Sequence, residues 1–91
     1  MSEQIYSQRI KNTNSFNSIY LTFFKNNNVK IEIENSYFTK NGFLETEWIN
    51  SKTTKDKIED FLKNCDSFYE SLYRFTDYQD FLKFKNTFIN K

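Results

Sequence analysis

The chain has no histidine and no proline, and only 1 cysteine and 1 glycine in 91 residues. Without imidazole, Cys–His nucleophilic catalysis and the usual Cys/His zinc sites are excluded. The single thiol, Cys65, cannot form an intramolecular disulfide, which fits a reducing compartment, and a cytoplasmic protein is the expectation. No apolar run approaches the ~20 residues of a membrane span. Residues 1–11 lack the apolar centre of a secretion signal. The formal net charge is +1, so the basic excess of a protein built to grip phosphates is also missing. Carboxylates are plentiful, but no spacing marks an acid–base pair. No enzyme, no cofactor and no metal is expected.

What the chain does have is rings. Aromatic residues make up 20% of it, with 11 Phe, 6 Tyr and 1 Trp. Each ring buries a large area, so a few can build a core despite a hydrophobic content of 37%. A disordered chain would be poor in aromatics. The length suits one small domain over residues 1–91. Enrichment in Asn, Lys, Ile and Phe matches AT-rich codons and speaks to origin rather than function.

Two strands are legible from residue type and alternation. Residues 19–24, IYLTFF, are β-branched and aromatic, and residues 29–34, VKIEIE, alternate strictly between apolar and charged. Between them, Lys25-Asn26-Asn27-Asn28 reads as a turn, because Asn tolerates the left-handed conformation. A three-residue loop with one Asn in that conformation opposes Phe23 to Val29, Leu21 to Ile31 and Ile19 to Ile33, all on one apolar face. A slip of one residue would send half of these to the charged face, so the three-residue loop is favoured.

The second strand runs on through Tyr37 to Asn41-Gly42, the preferred pair for a two-residue type I′ turn. That turn opposes Lys40 to Phe43, Thr39 to Leu44, Tyr37 to Thr46 and Asn35 to Trp48. The predicted core face is then Ile19, Leu21, Phe23, Val29, Ile31, Ile33, Tyr37, Leu44 and Trp48. This predicts a three-stranded antiparallel meander over 19–50. Residues 1–18 are read as an arm, in which IYSQRI is a short edge strand or a helical turn. Within that arm, Lys11–Ser18 is a polar loop with Phe16 buried.

After Asn50 the period changes. Thr53 with Asp56 resembles a capping box. Ile58, Phe61, Leu62, Cys65, Phe68, Tyr69 and Leu72 follow helical spacing, with a break expected near 64–67. Phe68, Leu72 and Phe75 share a face. A second break falls at Thr76-Asp77, before a last helix carrying Tyr78, Phe81, Leu82, Phe88 and Ile89. Strands first and helices second make an α+β domain, with two or three C-terminal helices over 53–90 packed on one sheet face. Cys65, on the apolar stripe, is expected to be a buried, inert thiol.

The uneven feature is the other sheet face. In the predicted registers it gathers Tyr20, Phe24, Phe38 and Phe43 with Glu32, Glu34, Glu45 and Glu47, beside Lys30. Aromatics among like charges are typical of interface anchors. The expected function is a non-enzymatic protein-binding module that docks this acidic, aromatic face on the basic surface of a partner. Such surfaces often belong to nucleic-acid enzymes, so the concrete expectation is a small inhibitor. An immunity protein against a nuclease toxin fits, as does a phage-borne inhibitor such as an anti-CRISPR protein. One rival is a nucleic-acid-binding regulator using Tyr73, Arg74, Tyr78, Lys83 and Lys85. The other is a homo-oligomer that buries the aromatic face against its own copy.

Overall fold

The computed structural model describes residues 3–12, 15–65, 68–69, 74–75 and 78–89. Four long strands, β1 (Glu3–Asn12), β2 (Ser15–Phe24), β3 (Asn28–Phe38) and β4 (Leu44–Thr54), form one antiparallel sheet in the order β1-β2-β3-β4. Helix α1 (Lys55–Leu62) follows, then a two-stranded pair, β5 (Phe68–Tyr69) with β6 (Arg74–Phe75), then α2 (Tyr78–Phe88). The α+β class and the meander stand as expected. The sheet has four strands rather than three, because IYSQRI belongs to a ten-residue edge strand that pairs along the whole of β2. The polar residues Ser15–Ser18, expected in a loop, are the start of β2, where Asn17 and Ser18 are buried.

The β2–β3 register matches the burial argument. Phe23 opposes Val29, Leu21 opposes Ile31 and Ile19 opposes Ile33. Asn27 takes the left-handed conformation at φ 71°. The same residue ties the turn to α1. Its carbonyl accepts from the Lys55 N–H at 2.9 Å, and its side-chain amide donates to Asp56 Oδ2 at 3.3 Å. The helix cap is Thr54, not Thr53: the Thr54 hydroxyl accepts from the Lys57 N–H at 3.4 Å. One free N–H of the helix start is thus satisfied by its own cap and another by a neighbouring turn.

The β3–β4 register differs by one residue from the expected one. Phe38 opposes Leu44, Tyr37 opposes Glu45, Asn35 opposes Glu47 and Glu34 opposes Trp48. The loop is Lys40-Asn41-Gly42, closed by Thr39 N–H to the Phe43 carbonyl at 2.8 Å and Gly42 N–H to the Thr39 carbonyl at 3.0 Å. Gly42 sits at φ 81°. This is a three-residue turn ending in a left-handed residue rather than a type I′ pair. Because strand side chains alternate, the shift moves every residue of β4 to the opposite face. Ile49, Ser51 and Thr53 face the core side, opposite Ile33, Ile31 and Val29. Leu44 and Trp48, expected in the core, are 58% and 53% exposed.

The helices pack on the apolar face of the sheet. Ile19, Leu21, Val29, Ile31 and Ile33 from the sheet, with Ile10 from β1, meet Ile58 and Leu62 of α1 and Phe81, Phe84 and Phe88 of α2. The rings pack edge to face, Phe61 to Phe84 at 5.6 Å and Phe75 to Phe84 at 5.5 Å. The Phe68–Phe75 segment is not helical where it is described. Phe68 pairs with Phe75 and Tyr69 with Arg74 as short strands. Gln8 of β1 clasps this segment: its amide donates to the Phe75 carbonyl at 2.6 Å and accepts from the Phe75 N–H at 2.9 Å. Leu72 and Tyr73 lie outside the described residues. Cys65 lies beyond the end of α1 and is partly buried, its thiol 3.6 Å from the Phe61 carbonyl, so it is not the buried stripe residue expected.

Two outcomes follow from this packing. Phe81→Ala removes a fully buried ring and should cost about 3–5 kcal/mol in a denaturant melt. Trp48 fluorescence should be that of a largely hydrated indole in the native protein, shifting little on unfolding. A strongly blue-shifted native spectrum would restore the two-residue turn and refute the observed register.

Candidate protein-docking surface

The outer sheet face collects every second residue of each strand. It carries Ile5, Ser7, Arg9 and Lys11 from β1, and Phe16, Ser18, Tyr20, Thr22 and Phe24 from β2. From β3 it takes Lys30, Glu32, Glu34, Ser36 and Phe38, and from β4 Leu44, Thr46, Trp48, Asn50 and Lys52. Of the site residues expected from sequence, Tyr20, Phe24, Glu32, Glu34 and Phe38 share this face. Glu45 and Glu47 do not. The register shift puts them on the opposite side, against Tyr37 and Asn35.

The face is therefore not the acidic surface anticipated. Among its described side chains, Arg9, Lys11, Lys30 and Lys52 stand against Glu32 and Glu34. Lys30 is paired with Glu32 at 3.6 Å and lies opposite Lys52, so it is not the one nearby cation. Arg9 and Lys11 each sit 5.9 Å from the Phe16 ring, and Arg9 donates to the Ser18 hydroxyl at 3.2 Å. Phe24 lies apart, at a cleft of about 550 Å³ that it lines with Asn26, Asn28, Lys30 and Lys52.

The distinctive region is the far half of the β3–β4 hairpin. Phe38 and Leu44 face each other across the strands at 56% and 58% exposure, and Phe43 in the turn is 68% exposed. Ser36 and Thr46 come next, joined through their hydroxyls at 3.1 Å. Trp48 follows, opposite Glu34, with its ring 5.9 Å from Tyr20. On the reverse side are Tyr37, Glu45 and Glu47, the two carboxylates exposed. The Tyr37 hydroxyl donates to Glu47 Oε1 at 3.2 Å. Glu34, Glu45 and Glu47 have no ion-pair partner among the described residues.

Hydrophobicity alone misplaces Leu44 and Trp48, since both look like core residues. The signal that finds them is the likeness of the two loops, Lys25-Asn26-Asn27 and Lys40-Asn41-Gly42, which calls for the same loop length twice. Arg9 and Lys11 were missed because β1 was read as an arm.

Of the helix-face alternative, only Tyr78, Lys83 and Lys85 have described side chains. Tyr73 lies outside the described residues, and Arg74 is described only in its backbone pairing with Tyr69. Tyr78 packs its ring 5.7 Å from Phe81 in the core. Lys83 pairs with Asp80 at 3.7 Å, and Lys85, two residues on, points elsewhere on α2. Among the described residues no acidic or thiol cluster fit to hold a metal is present, and no helix is long and apolar enough to cross a membrane. No family model, curated protein or solved structure matches the chain.

The Tyr37 phenol is held above its ordinary range, first by its hydrogen bond to Glu47, then by the charge of Glu47, with smaller contributions from desolvation and Glu45. A raised folded pKa means that the contribution of this contact to stability is complete below the ordinary tyrosine value of about 10 and fades as pH rises through the folded value. An absorbance titration should show one tyrosine ionising late, and Glu47→Gln should return it toward the ordinary range. Unchanged titration in Glu47→Gln would place Glu47 on the other face.

Proposed function

We propose that this protein is a non-enzymatic binding module that inhibits a protein partner by docking the far half of the β3–β4 hairpin on a basic surface. One observation carries the reading. Among the described residues, four of the five exposed large hydrophobics, Phe38, Phe43, Leu44 and Trp48, sit on this one hairpin. A concentration of exposed rings on a small protein marks an interaction site, and aromatic residues are the usual anchors. The charge agrees in sign. From Glu34 to Trp48 the hairpin carries Glu34, Glu45 and Glu47 against Lys40 alone. Carboxylates around an apolar anchor steer a cationic partner into place. Proteins that handle nucleic acid present such surfaces, and a small inhibitor of a nuclease or of a nucleic-acid-guided defence complex fits this chemistry.

A second reading rests on the β1 side of the same sheet face. Arg9 and Lys11 flank the Phe16 ring, a pairing that suits stacked, single-stranded nucleic acid. Glu32 and Glu34 in the middle of the face oppose it.

The test is affinity capture from the native host, followed by binding kinetics of variants against the captured protein. Trp48→Ala or Phe38→Ala should each cost about 2 kcal/mol or more, as a central anchor does. Glu45→Lys with Glu47→Lys should chiefly slow association. Arg9→Ala with Lys11→Ala should leave binding intact. If that basic pair alone abolishes binding, and generic RNA competes with a steep salt dependence, the nucleic-acid reading replaces this one.

A further inference from the structure

Strand β4 is an edge of the sheet. Its Ser51–Thr54 end is covered: Ser51 donates to the Phe88 carbonyl at 2.8 Å, and Thr54 caps α1. Its Leu44–Asn50 end pairs with no further strand among the described residues. The ladder begins with the Thr39–Phe43 bond, so Glu45, Glu47 and Ile49 exchange bonds with β3. The backbone N–H and C=O of Leu44, Thr46, Trp48 and Asn50 therefore point away from it. Proteins normally blunt such an edge with proline, charged side chains or a bulge; Leu44–Asn50 has no proline and no bulge, and its only charges are Glu45 and Glu47, so what this edge turns away is an acidic strand.

We infer that this edge accepts an extended segment of the partner as a fifth strand, one that alternates basic and apolar residues. The inference rests on the docking role proposed above and names its mode. Along the edge one side offers Glu45 and Glu47, two residues apart and without a cationic partner among the described residues. The other side offers Leu44 and Trp48. An added strand places its own alternate side chains beside these two rows, so Lys or Arg at every second position meets the carboxylates while the residues between meet the apolar row. A second copy of the chain is a poor occupant. Laid antiparallel across Thr46, its β4 would set Glu45 against Glu47 of the copy, a like-charge pairing.

The probes are three blocked peptides: Lys-Val-Lys-Val-Lys-Val-Lys, Glu-Val-Glu-Val-Glu-Val-Glu, and Lys-Lys-Val-Val-Val-Lys-Lys. Trp48 fluorescence reports binding to the whole protein, and amide hydrogen exchange reports location. The alternating lysine peptide should bind about tenfold tighter than the other two, the size expected from two favourable cross-strand charge pairs. It should slow exchange at Thr46, Trp48 and Asn50. Glu45→Lys with Glu47→Lys should reverse the preference between the first two peptides. Thr46→Pro should abolish binding with an unchanged circular dichroism spectrum, because the Thr46 N–H serves no bond to β3.

Equal binding of the two lysine peptides, or protection away from the edge, would overturn the inference. So would a dimer by sedimentation that Thr46→Pro converts to monomer, which would make a second copy the occupant. The captured partner separates this inference from the reading beneath it. Loss of partner binding in Trp48→Ala but not in Thr46→Pro refutes strand addition and keeps the docking role. Unimpaired binding in Trp48→Ala, Phe38→Ala and Thr46→Pro removes both.

Discussion

The left-handed residue that ends the β2–β3 loop, and the one that ends the β3–β4 loop, are the constraint on which the rest of the sheet depends. Asn27 and Gly42 hold φ of 71° and 81°. Each closes a three-residue loop, and the loop length decides which residues meet across the strands. From Asn27 follows the stacking of Ile19 on Ile33 and of Leu21 on Ile31. From Gly42 follows the placement of Ile49 inside and Trp48 outside. A Cβ at Gly42 would meet no atom within 4 Å, so the demand there is conformational rather than steric.

The resulting domain divides along its strands. Near the β2–β3 turn and α1, side chains of the sheet and the helices interlock, and Asn27 serves both the turn and the helix start. Toward the β3–β4 turn, Glu45 and Glu47 are left exposed while Ile10 and Asn17, across the sheet, are buried. Both carboxylates stand on the same side of the sheet that Phe81 and Phe84 cover elsewhere. Stability is concentrated away from this hairpin end and unsatisfied surface on it. This separation allows a surface rich in rings without loss of the core.

Much of the fold was legible in the chain because alternation is a strong signal where one face is wholly apolar. Val29, Ile31 and Ile33 leave no doubt about sides, and they carried β2 into register with them. The β4 residues gave a conflicting signal. Leu44 and Trp48 are the most apolar side chains on one parity, and Ile49 alone speaks for the other, so burial preference pointed to the wrong face. Asn41-Gly42 reinforced the error, since that pair serves two loop lengths. Phe68–Phe75 was lost to a different cause. Its rings sit at spacings that suit a helix, yet Gln8 supplies the Phe75 backbone with partners that only tertiary structure can provide. The candidate site inherited the first error: its aromatics were found, but its carboxylates were assigned to the wrong side.

The clasp between Gln8 and Phe75 joins residues 67 positions apart. Each of the long strands, by contrast, pairs with its neighbour in sequence. The order of synthesis therefore matters. The meander can close as soon as β4 leaves the ribosome, whereas the segment that Gln8 holds, and the α2 rings behind it, arrive last. If the sheet closes before the helices arrive, Ile19, Leu21, Ile31 and Ile33 face water through that interval. Such a sheet would be the stage most exposed to aggregation, and a chaperone would find its substrate there rather than in the helices.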